Sequence, residues 1–525
     1  MTSSIPPETP ESLKPSRDLE SGITEQISTS SSASTHSAME QGSIREKGED
    51  APSAEQPDDP FIVDWEPADD AINPTKWSPA RKWTTIGVLS FITFLTPLAS
   101  SMFAPGVPQV MADFKNGSQM LATFVVAVYV LGFAFGPLFL APLSEVYGRN
   151  PVYHVCNVFF TIFTVCCAVA KNMGMLIVFR FLAGLAGVSV VTCGSGSISD
   201  MLPAEQRGTA MAIWSMGPLL GPVIGPIAGG YLTEAKSWRW VFYVITIVAG
   251  FITVVSWFTL RETYHPVLLE KKAARLRKET GNPAYRSKYA TDETTAEVFK
   301  HALIRPLKML FLSPIINLMC MYIAITYGIL YILFTTFTFV FEDQYGFNTS
   351  SAGLTYIGSG VGSLLGLLAV GSMSDKLLKR KIAAGGRIRP EDRLPLVLTV
   401  PAGLSLPIGL FIYGWTADKK VHWIAPMIGT GITGFGMICV LICIQTYLVD
   451  AFTKHAASVN AANAVLRSLL GALLPLCGLD MYDALGLGWG NTLLGFLALM
   501  LAPAPWLFYF YGEKIRTNPK WQRQF

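Results

Sequence analysis

The chain has 525 residues, of which 51% are hydrophobic and 15% are charged. Soluble proteins carry about 25% charged residues, so the composition argues against a series of soluble domains and favours a membrane protein. The formal net charge of +3 gives no reason to expect nucleic-acid binding. All eight cysteines lie in apolar segments, which argues against a disulfide framework. Cys439 and Cys443 share a helix face, but no carboxylate or histidine lies beside them, so no metal site is expected.

Residues 1–80 form a segment rich in Ser, Thr, Glu and Pro, including the run Ser28–Thr35. Such a segment buries too little apolar area to offset the entropy lost on ordering, so we expect a disordered cytosolic tail. It contains no apolar core of a signal peptide, and the first membrane helix is therefore expected to direct insertion. A regulatory phosphorylated tail and an inert solvated tail both fit this composition.

Twelve apolar stretches of membrane-spanning length follow. They fall at 84–104, 120–140, 152–170, 174–197, 211–232, 240–260, 314–340, 352–371, 396–415, 423–448, 461–481 and 490–511. The charged break at 261–312 has few apolar residues, so we interpret it as a cytosolic surface linker. The expected fold is all-α: twelve transmembrane helices in two six-helix pseudo-repeats, residues 81–260 and 313–511, with a polar C-terminal tail at 512–525.

Lysine and arginine are biased to one side of this topology. With a cytosolic N terminus, the inner side carries Arg81, Lys82, Arg149, Arg207, the linker, and the basic residues of 376–393 and 514–523. The outer loops carry only Lys115, Lys171, Lys236, Arg239, Lys419 and Lys420. Both termini are therefore predicted to be cytosolic. We expect a multi-pass protein of the plasma membrane, and the vacuolar membrane is the alternative. The sequons at Asn116 and Asn348 fall in predicted outer loops, which makes both asparagines candidate glycosylation sites.

The two halves repeat a short polar pattern after their second spans. Ser144 and Glu145 are followed four residues later by Arg149, and Ser374 and Asp375 are followed by Lys379. Parallel six-helix repeats predict such a match, with the substrate site where the two halves meet.

A stripe of glycine marks the fifth span. Glycine recurs every four residues from 217 to 229 in a stretch without charge, and three of these glycines precede a proline. At 3.6 residues per turn these glycines lie along one face of the helix, and because they have no side chain another helix can pack closely against this face in a membrane. The candidate residues of this helix are Gly221, Pro222, Gly225, Pro226, Gly229 and Gly230. A helix-packing seam is the simplest interpretation, and a role in transport is the alternative.

Arg180 is a charged residue inside the fourth span. An arginine at a helix centre costs about 2.5–3.5 kcal/mol on insertion scales, although near the outer edge its long stem could reach the interface. A membrane arginine is by default a functional residue that faces a cavity or a partner. Gly184 and Gly187, one and two turns further on, permit close approach of another backbone.

Five segments together resemble one family. They are Pro142–Arg149, Arg180–Gly187, the glycine stripe, Arg261–Gly281 and Asp450–Ser468. Over residues 60–515 the chain resembles the fungal twelve-span drug:proton antiporters of the major facilitator superfamily. It departs from the common pattern at Ala141, where many members have Gly, and at Asn150, where another cation is common.

The resemblance implies the major facilitator fold and proton-coupled export by alternating access. It implies that Arg180 takes part in proton coupling, and that Glu145 meets the positive N-terminal end of the eleventh span as an inner latch. The other implied coupling and gating residues are Arg149, Asp200 and Arg207 in the next inner loop, and Asp450 with Arg467. Without the family, Glu145 and Arg149 would be interpreted as an exposed helix-end pair worth a few tenths of a kcal/mol.

The motifs that the sequence lacks restrict the chemistry. It has neither a phosphate-binding loop nor a His-Glu-x-x-His metal motif, so we predict a transporter without a cofactor rather than an enzyme. No Asp or Glu lies in the middle of a span, which argues against a polyamine site. The candidate cavity residues are Tyr129, Trp214, Tyr327, Tyr331, Phe334 and Gln445. A mostly apolar cavity of this kind favours neutral or weakly charged lipophilic molecules such as drugs or secondary metabolites.

Two other functions remain open on the sequence alone. An importer or uniporter could use the same fold, although the fifth-span glycine pattern argues against it. A membrane sensor that moves nothing would be expected to carry a large folded soluble domain, which this sequence lacks. The expected partners are a small lipophilic substrate, protons and the lipid bilayer, in a monomer that binds no nucleic acid.

Overall fold

A computed structural model describes residues 61–66, 72–290, 294–385 and 389–517. Most of the predicted N-terminal tail, residues 1–60 and 67–71, lies outside the described residues, as does the end of the C-terminal tail, residues 518–525.

Among the described residues, the first half of the chain forms eight α-helices. They are α1 (Pro79–Ser101), α2 (Val107–Asp113), α3 (Gln119–Val146), α4 (Arg149–Ala168), α5 (Met173–Gly187), α6 (Ser189–Met201), α7 (Ala204–Ala235) and α8 (Trp238–Thr259). Prolines lie inside α1, α3 and α7. Membrane helices tolerate them because neighbouring helices and polar side chains satisfy the freed carbonyl groups.

The linker and the second half follow. The linker contains α9 (His265–Thr280) and α10 (Thr295–Leu312). The second half contains α11 (Pro314–Tyr345), α12 (Thr349–Leu354), α13 (Tyr356–Ala383), α14 (Leu396–Asp418), α15 (Ile424–Ala451), α16 (Ala456–Leu473), α17 (Gly478–Leu501) and α18 (Ala504–Thr517). Helix α10 is not only a surface element, because it buries Met309 and Leu310 in the core of this half.

Eleven helical runs of the described chain are long and apolar enough to cross a membrane, and the last of them accounts for two crossings. That run, Ser458–Thr517, has 60 residues. A straight helix of that length would extend about 90 Å, three times the hydrocarbon thickness of a bilayer. Gly486 breaks it with φ 76° and ψ 166°, a conformation essentially restricted to glycine. The twelve crossings predicted from the sequence are therefore present.

The outside of the helix bundle is apolar. Large hydrophobic side chains are exposed along its length, among them Phe251, Phe258, Leu368, Val397 and Met500. A surface of this kind suits contact with lipid rather than with water.

The two halves meet along two helix seams. Helix α7 packs against α12 and α13, and α3 packs against α16. We call the side of the molecule that carries α9 and α10 the linker side, and the opposite side, which carries α2 and α12, the far side.

A short strap on the linker side joins the start of the chain to the linker. Strand β1 (Ile62–Val63) pairs in parallel with β2 (Arg286–Ser287). The ring of Trp65 lies 5.6 Å from that of His265, and Lys288 Nζ contacts Asp64 Oδ2 at 2.6 Å. Residues 61–66 thus take a defined position, although the composition of residues 1–80 predicts disorder, because aromatic and charged partners on the linker hold them.

Candidate functional site

Arg180 lies inside the N-terminal half and does not extend to the membrane surface. Only 1% of the residue is exposed. Its Nη2 donates to the carbonyls of Ser100 at 3.1 Å and Val126 at 3.5 Å. Its Cζ lies 4.6, 5.3 and 5.8 Å from three ring centroids, those of Phe103, Tyr129 and Phe242. The expectation that the stem reaches the interface is wrong, because carbonyls and aromatic faces supply the guanidinium with partners inside the bundle.

The glycines next to Arg180 permit close packing of α5 on its neighbours. A Cβ on Gly184 would clash with the carbonyl of Tyr129. The carbonyl of Gly187 accepts a hydrogen bond from Thr96 Oγ1 at 3.0 Å. Tyr129 is part of the same arrangement, since its hydroxyl donates to the carbonyl of Thr96 at 3.1 Å. These contacts hold α5, the helix that carries Arg180, close to α1 and α3.

The glycine stripe of α7 lies against α1 within the same half. A Cβ on Gly221 would lie 2.8 Å from the backbone nitrogen of Leu98, and one on Gly225 would lie 2.9 Å from that of Met102. At Gly229 a Cβ would overlap the carbonyl of Met102. These positions therefore admit glycine alone without movement of α1.

The neighbouring positions of α7 contact the other half. A Cβ on Gly230 would lie 2.7 Å from the carbonyl of Thr349, and one on Gly353 would lie 2.6 Å from the carbonyl of Pro226. Pro222 lies one turn before Pro226 inside the same helix. Helix α7 thus packs closely against α1 of its own half and also contacts the other half.

On the linker side, Arg149 pairs with Asp200 and not with Glu145. The distance from Arg149 Nε to Asp200 Oδ2 is 3.5 Å, and Arg149 Nη1 donates to Ser144 Oγ at 2.9 Å. The exposed Glu145 has no hydrogen bond or ion pair among the described residues. The pair that the spacing alone would suggest does not form, because Gly148, at φ 101°, turns the chain between α3 and α4, whereas an i,i+4 pair requires one continuous helix.

Arg207 does not pair with Asp200 and contacts backbone carbonyls. Its guanidinium donates to the carbonyls of Leu202 and Ser199, each at 2.8 Å. These carbonyls belong to the C-terminal end of α6, where unsatisfied carbonyls and the helix dipole favour a cation. Asp200 is therefore free to pair with Arg149.

The segment after the sixth crossing completes this cluster. Glu262 accepts hydrogen bonds from the backbone nitrogens of Arg149 at 2.9 Å and Asn150 at 3.1 Å, so it caps α4. The ring of Tyr264 lies 4.8 Å from Arg149 Cζ. Burial, together with the negative charge of Glu145, raises the pKa of Tyr264 above its usual value. The sequence alone predicts no role for Glu262 or Tyr264, although the family motif that begins at Arg261 contains both.

In the second half, Asp450 and Arg467 do not form the expected pair. Asp450 Oδ2 accepts from Arg393 Nε at 2.7 Å. Arg467 lies with its Cζ 5.0 Å from the ring centroid of Tyr327. The reason is position along the helix: Arg467 comes eleven residues after the start of α16 at Ala456, about 16 Å into the helix.

Tyr331 is the candidate cavity residue that bridges the two halves. Its hydroxyl lies 3.5 Å from Ser100 Oγ, and its ring centroid lies 5.0 Å from that of Tyr327. Phe334 packs with the aromatic core of the second half. Trp214 lies against α6, where a Cβ on Gly194 would be 2.6 Å from its Nε1. Gln445 is half-buried on α15.

The sequence model of the Major Facilitator Superfamily matches residues 89–475. The chain belongs to this superfamily. The family match thus confirms the resemblance seen in the sequence and the fold expected from it, and it makes the protein a transporter rather than an enzyme.

Fungal members of the superfamily are similar to this chain over most of their length. The MFS-type transporter penM of Penicillium rubens is 55% identical over 476 residues, which are 91% of this chain and 93% of penM. The efflux pump radE of Floropilus chiversii is 49% identical, with 89% and 87% of the two chains covered. The MFS transporter cpaT of Aspergillus oryzae is also 49% identical, with 93% and 97% covered.

Solved structures of distant superfamily members share the fold. A partially occluded inward-open structure of the xylose transporter XylE from E. coli superposes with a TM-score of 0.61 at 17% identity, covering 82% of this chain and 98% of XylE. An inward-facing bacterial homologue of the lysosomal transporter Spinster gives 0.56 at 16% identity, covering 84% and 100%. These likenesses concern the fold alone.

The halves of this major facilitator also meet at the far side. Glu234, at the end of α7, accepts hydrogen bonds from Asn348 Nδ2 at 2.8 Å and from the backbone nitrogen of Ser350 at 2.9 Å. Gln119 Nε2 donates to Asp483 Oδ2 at 2.9 Å. The other sequon residue, Asn116, uses its Oδ1 to accept from the backbone nitrogen of Ser118 at 2.9 Å.

Proposed function

We propose that this transporter exports a lipophilic metabolite or drug-like molecule from the cytosol in exchange for protons. One observation carries the proposal: α7 combines a glycine seam with α1 and a contact seam with α12 and α13. A helix joined in this way to both halves transmits any opening between them. The efflux pump radE, 49% identical to this chain, supports the direction of transport.

Proton coupling is assigned to the surroundings of Arg180. The arginine is buried among aromatic rings and donates to Ser100, whose hydroxyl lies 3.5 Å from that of Tyr331, the residue that reaches across from the other half. A membrane potential of about 100 mV supplies about 2.3 kcal/mol for each proton, and a pH difference of about one unit adds about 1.4 kcal/mol. The sum sustains a substrate gradient of about 500-fold.

The gating role is assigned to the ion pairs of the linker side. Arg149 with Asp200 and Arg393 with Asp450 lie at equivalent places in the two halves, because each pair joins the beginning of the third crossing of its half to the end of the fourth. In this proposal Glu145 meets the N-terminal end of α16, against which α3 packs, when the linker side closes. The linker side and both termini would face the cytosol at the plasma membrane.

The experiment measures transport by the full-length protein in proteoliposomes. The far side of the protein faces an acidic lumen, so that export corresponds to accumulation inside the vesicles. Radiolabelled lipophilic fungal metabolites are the probes. We expect accumulation against the gradient only when a pH gradient is imposed, and its collapse when a protonophore is added. Downhill movement that ignores the pH gradient would identify a uniporter. Absence of metabolite transport in either direction would contradict the proposed export function.

A further inference from the structure

Two arginines lie inside the transporter without an acidic partner. Arg180 belongs to α5 of the first half and Arg467 to α16 of the second, and neither has a carboxylate within 4 Å among the described residues. We propose that the exported molecule is a lipophilic organic anion, whose carboxylate or enolate group pairs with Arg467, while Arg180 adds positive charge on the other side of the interface. This inference rests on the proposed export function and refines its substrate class.

A continuous set of contacts connects the two arginines across the interface. Arg180 donates to the carbonyl of Ser100, whose hydroxyl lies 3.5 Å from that of Tyr331. The Tyr331 ring lies 5.0 Å from that of Tyr327, which in turn lies 5.0 Å from Arg467 Cζ. Arg180 and Ser100 of the first half are thus linked to Tyr331, Tyr327 and Arg467 of the second half across the interface. Since the halves move relative to each other during transport, a ligand held by both would bind differently in each state.

The hydrogen-bonding capacity of both guanidiniums is incompletely used. The Nε atoms of Arg180 and Arg467 are buried, and neither has a hydrogen-bond partner within the described part of the chain. A buried donor without a partner is costly, and a buried charge without a counterion is more so. Ser100 and Val126 supply only neutral carbonyls. A ligand carboxylate would supply both the missing acceptors and the missing negative charge.

The acidic residues of the helices do not fill this role. Glu145 and Asp200 lie at the linker side, and Glu234, Glu342 and Asp483 lie at the far side. A cationic ligand would find two like charges in the site, and a neutral ligand would leave them uncompensated. The site therefore favours an anion over the neutral molecules that the apolar composition of the spans predicts, while the tyrosine rings suit an aromatic or alicyclic body.

Binding to the purified full-length protein in lipid nanodiscs tests the inference. The probes are a panel of aromatic acids, each with its neutral amide, for example 1-naphthaleneacetate with 1-naphthaleneacetamide. We expect at least one acid to bind about tenfold or more tightly than its amide, in line with a charge-assisted hydrogen bond. This comparison uses the unmodified protein and does not depend on the folding of any variant.

Substitution of Arg467 locates the effect. Arg467→Gln should remove the preference for the acid and leave the affinity for the amide within about twofold of the parent. Arg467→Lys should retain part of the preference, because lysine keeps the charge but lacks the two parallel N–H donors of the guanidinium. The matched control is Arg277→Gln, which removes an arginine from the exposed face of α9 and should change neither affinity.

Three outcomes would overturn the inference. The first is that no acid of the panel binds more tightly than its amide. The second is that Arg467→Gln weakens the acid and the amide equally, which indicates a structural role. The third is that Arg277→Gln lowers the preference as much as Arg467→Gln. Proton-driven uphill export of an amide would leave the proposed function intact in each case, whereas absence of any coupled export would remove that function as well.

Discussion

At the scale of single residues, Arg180 has surroundings that a neutral side chain cannot reproduce. Arg180→Ala should insert normally but lose uphill transport, because three cation–π contacts disappear, each worth about 2 kcal/mol when desolvated. Arg180→Lys should also be impaired, since an ammonium cannot both stack on the Phe103 ring and reach the Ser100 carbonyl. The measurement is uphill export at equal protein level in proteoliposomes.

The matched control for this prediction is Arg239→Ala. Arg239 also lies over a ring, with its Cζ 4.2 Å from the Trp238 centroid, but at the far side next to Asp113. Its loss should leave export within about twofold, as expected for an exposed pair. Uphill export at the normal rate by Arg180→Ala would remove the coupling role of the arginine.

The two sequon asparagines should behave differently. Asn348 uses Nδ2, the atom to which a sugar would be attached, to bind Glu234, and its Oδ1 accepts from the backbone nitrogen of Ser351. Asn116 uses only its Oδ1. We therefore expect Asn116 to carry the glycan, and export-competent protein to be unmodified at Asn348. Glycosidase digestion of Asn116→Gln should give no shift in gel mobility, while Asn348→Gln should keep the full shift of the parent.

At the scale of elements, the α1–α7 seam should tolerate no side chain. Gly225→Leu should force these helices apart, at an overpacking cost of about 1–3 kcal/mol or more, and should abolish coupled export. The control lies in the same helix: a Cβ on Gly208 meets nothing within 4 Å, so Gly208→Leu should be active. Transport rate and thermal unfolding of both variants measure the contrast. Equal activity of the two variants would show that the seam does not limit transport.

The strap formed by β1 and β2 should loosen in acid. Partial burial alone would raise the pKa of Asp64, but the hydrogen bond from Lys288 lowers it below the usual value. A carboxyl whose folded pKa is depressed stabilises the structure above its unfolded pKa, and this contribution is lost as the pH falls through the folded value.

Hydrogen exchange of the strap amides measures this loss. The backbone nitrogens of Arg286 and Lys288 donate to the carbonyls of Phe61 and Val63. Protection of these two amides, corrected for intrinsic exchange, should fall as the pH drops below about 4, the usual pKa of an aspartate. In Asp64→Asn the protection should be low at every pH. A variant as well protected as the parent would show that the ion pair does not hold the strap.

The elements of this fold could be predicted from the sequence, and the partners of its charged residues could not. Span length and the four-residue glycine period are local properties, so the twelve crossings and the stripe follow from them. The partner of Arg149 depends on the turn at Gly148, and that of Asp450 on how far Arg467 lies inside α16. Such pairings arise between elements, and neither composition nor spacing specifies them.

At the scale of the whole molecule, the far side is held closed by contacts between the halves. Glu234 of α7 binds the backbone nitrogen of Ser350 in α12, and Gly230 lies against Thr349. On the linker side, the ion pairs of Arg149 with Asp200 and of Arg393 with Asp450 each lie within one half. Alternating access thus requires the contact between α7 and α12 to break when the far side opens.

Crosslinking across this contact should stop transport. In a background with Cys477→Ser, which removes the exposed native cysteine, Glu234→Cys and Ser350→Cys would be joined by a short bifunctional thiol reagent. We expect export to cease, because the far side cannot open, and to return when a reductant cleaves the link.

The control pair is Asp113→Cys with Arg239→Cys, which also lies at the far side but inside one half, where the parent residues are 3.0 Å apart. Its crosslink should leave export unchanged, since each half moves as a unit. Continued export by the crosslinked Glu234→Cys and Ser350→Cys protein would mean that substrate leaves by a route that does not separate α7 from α12.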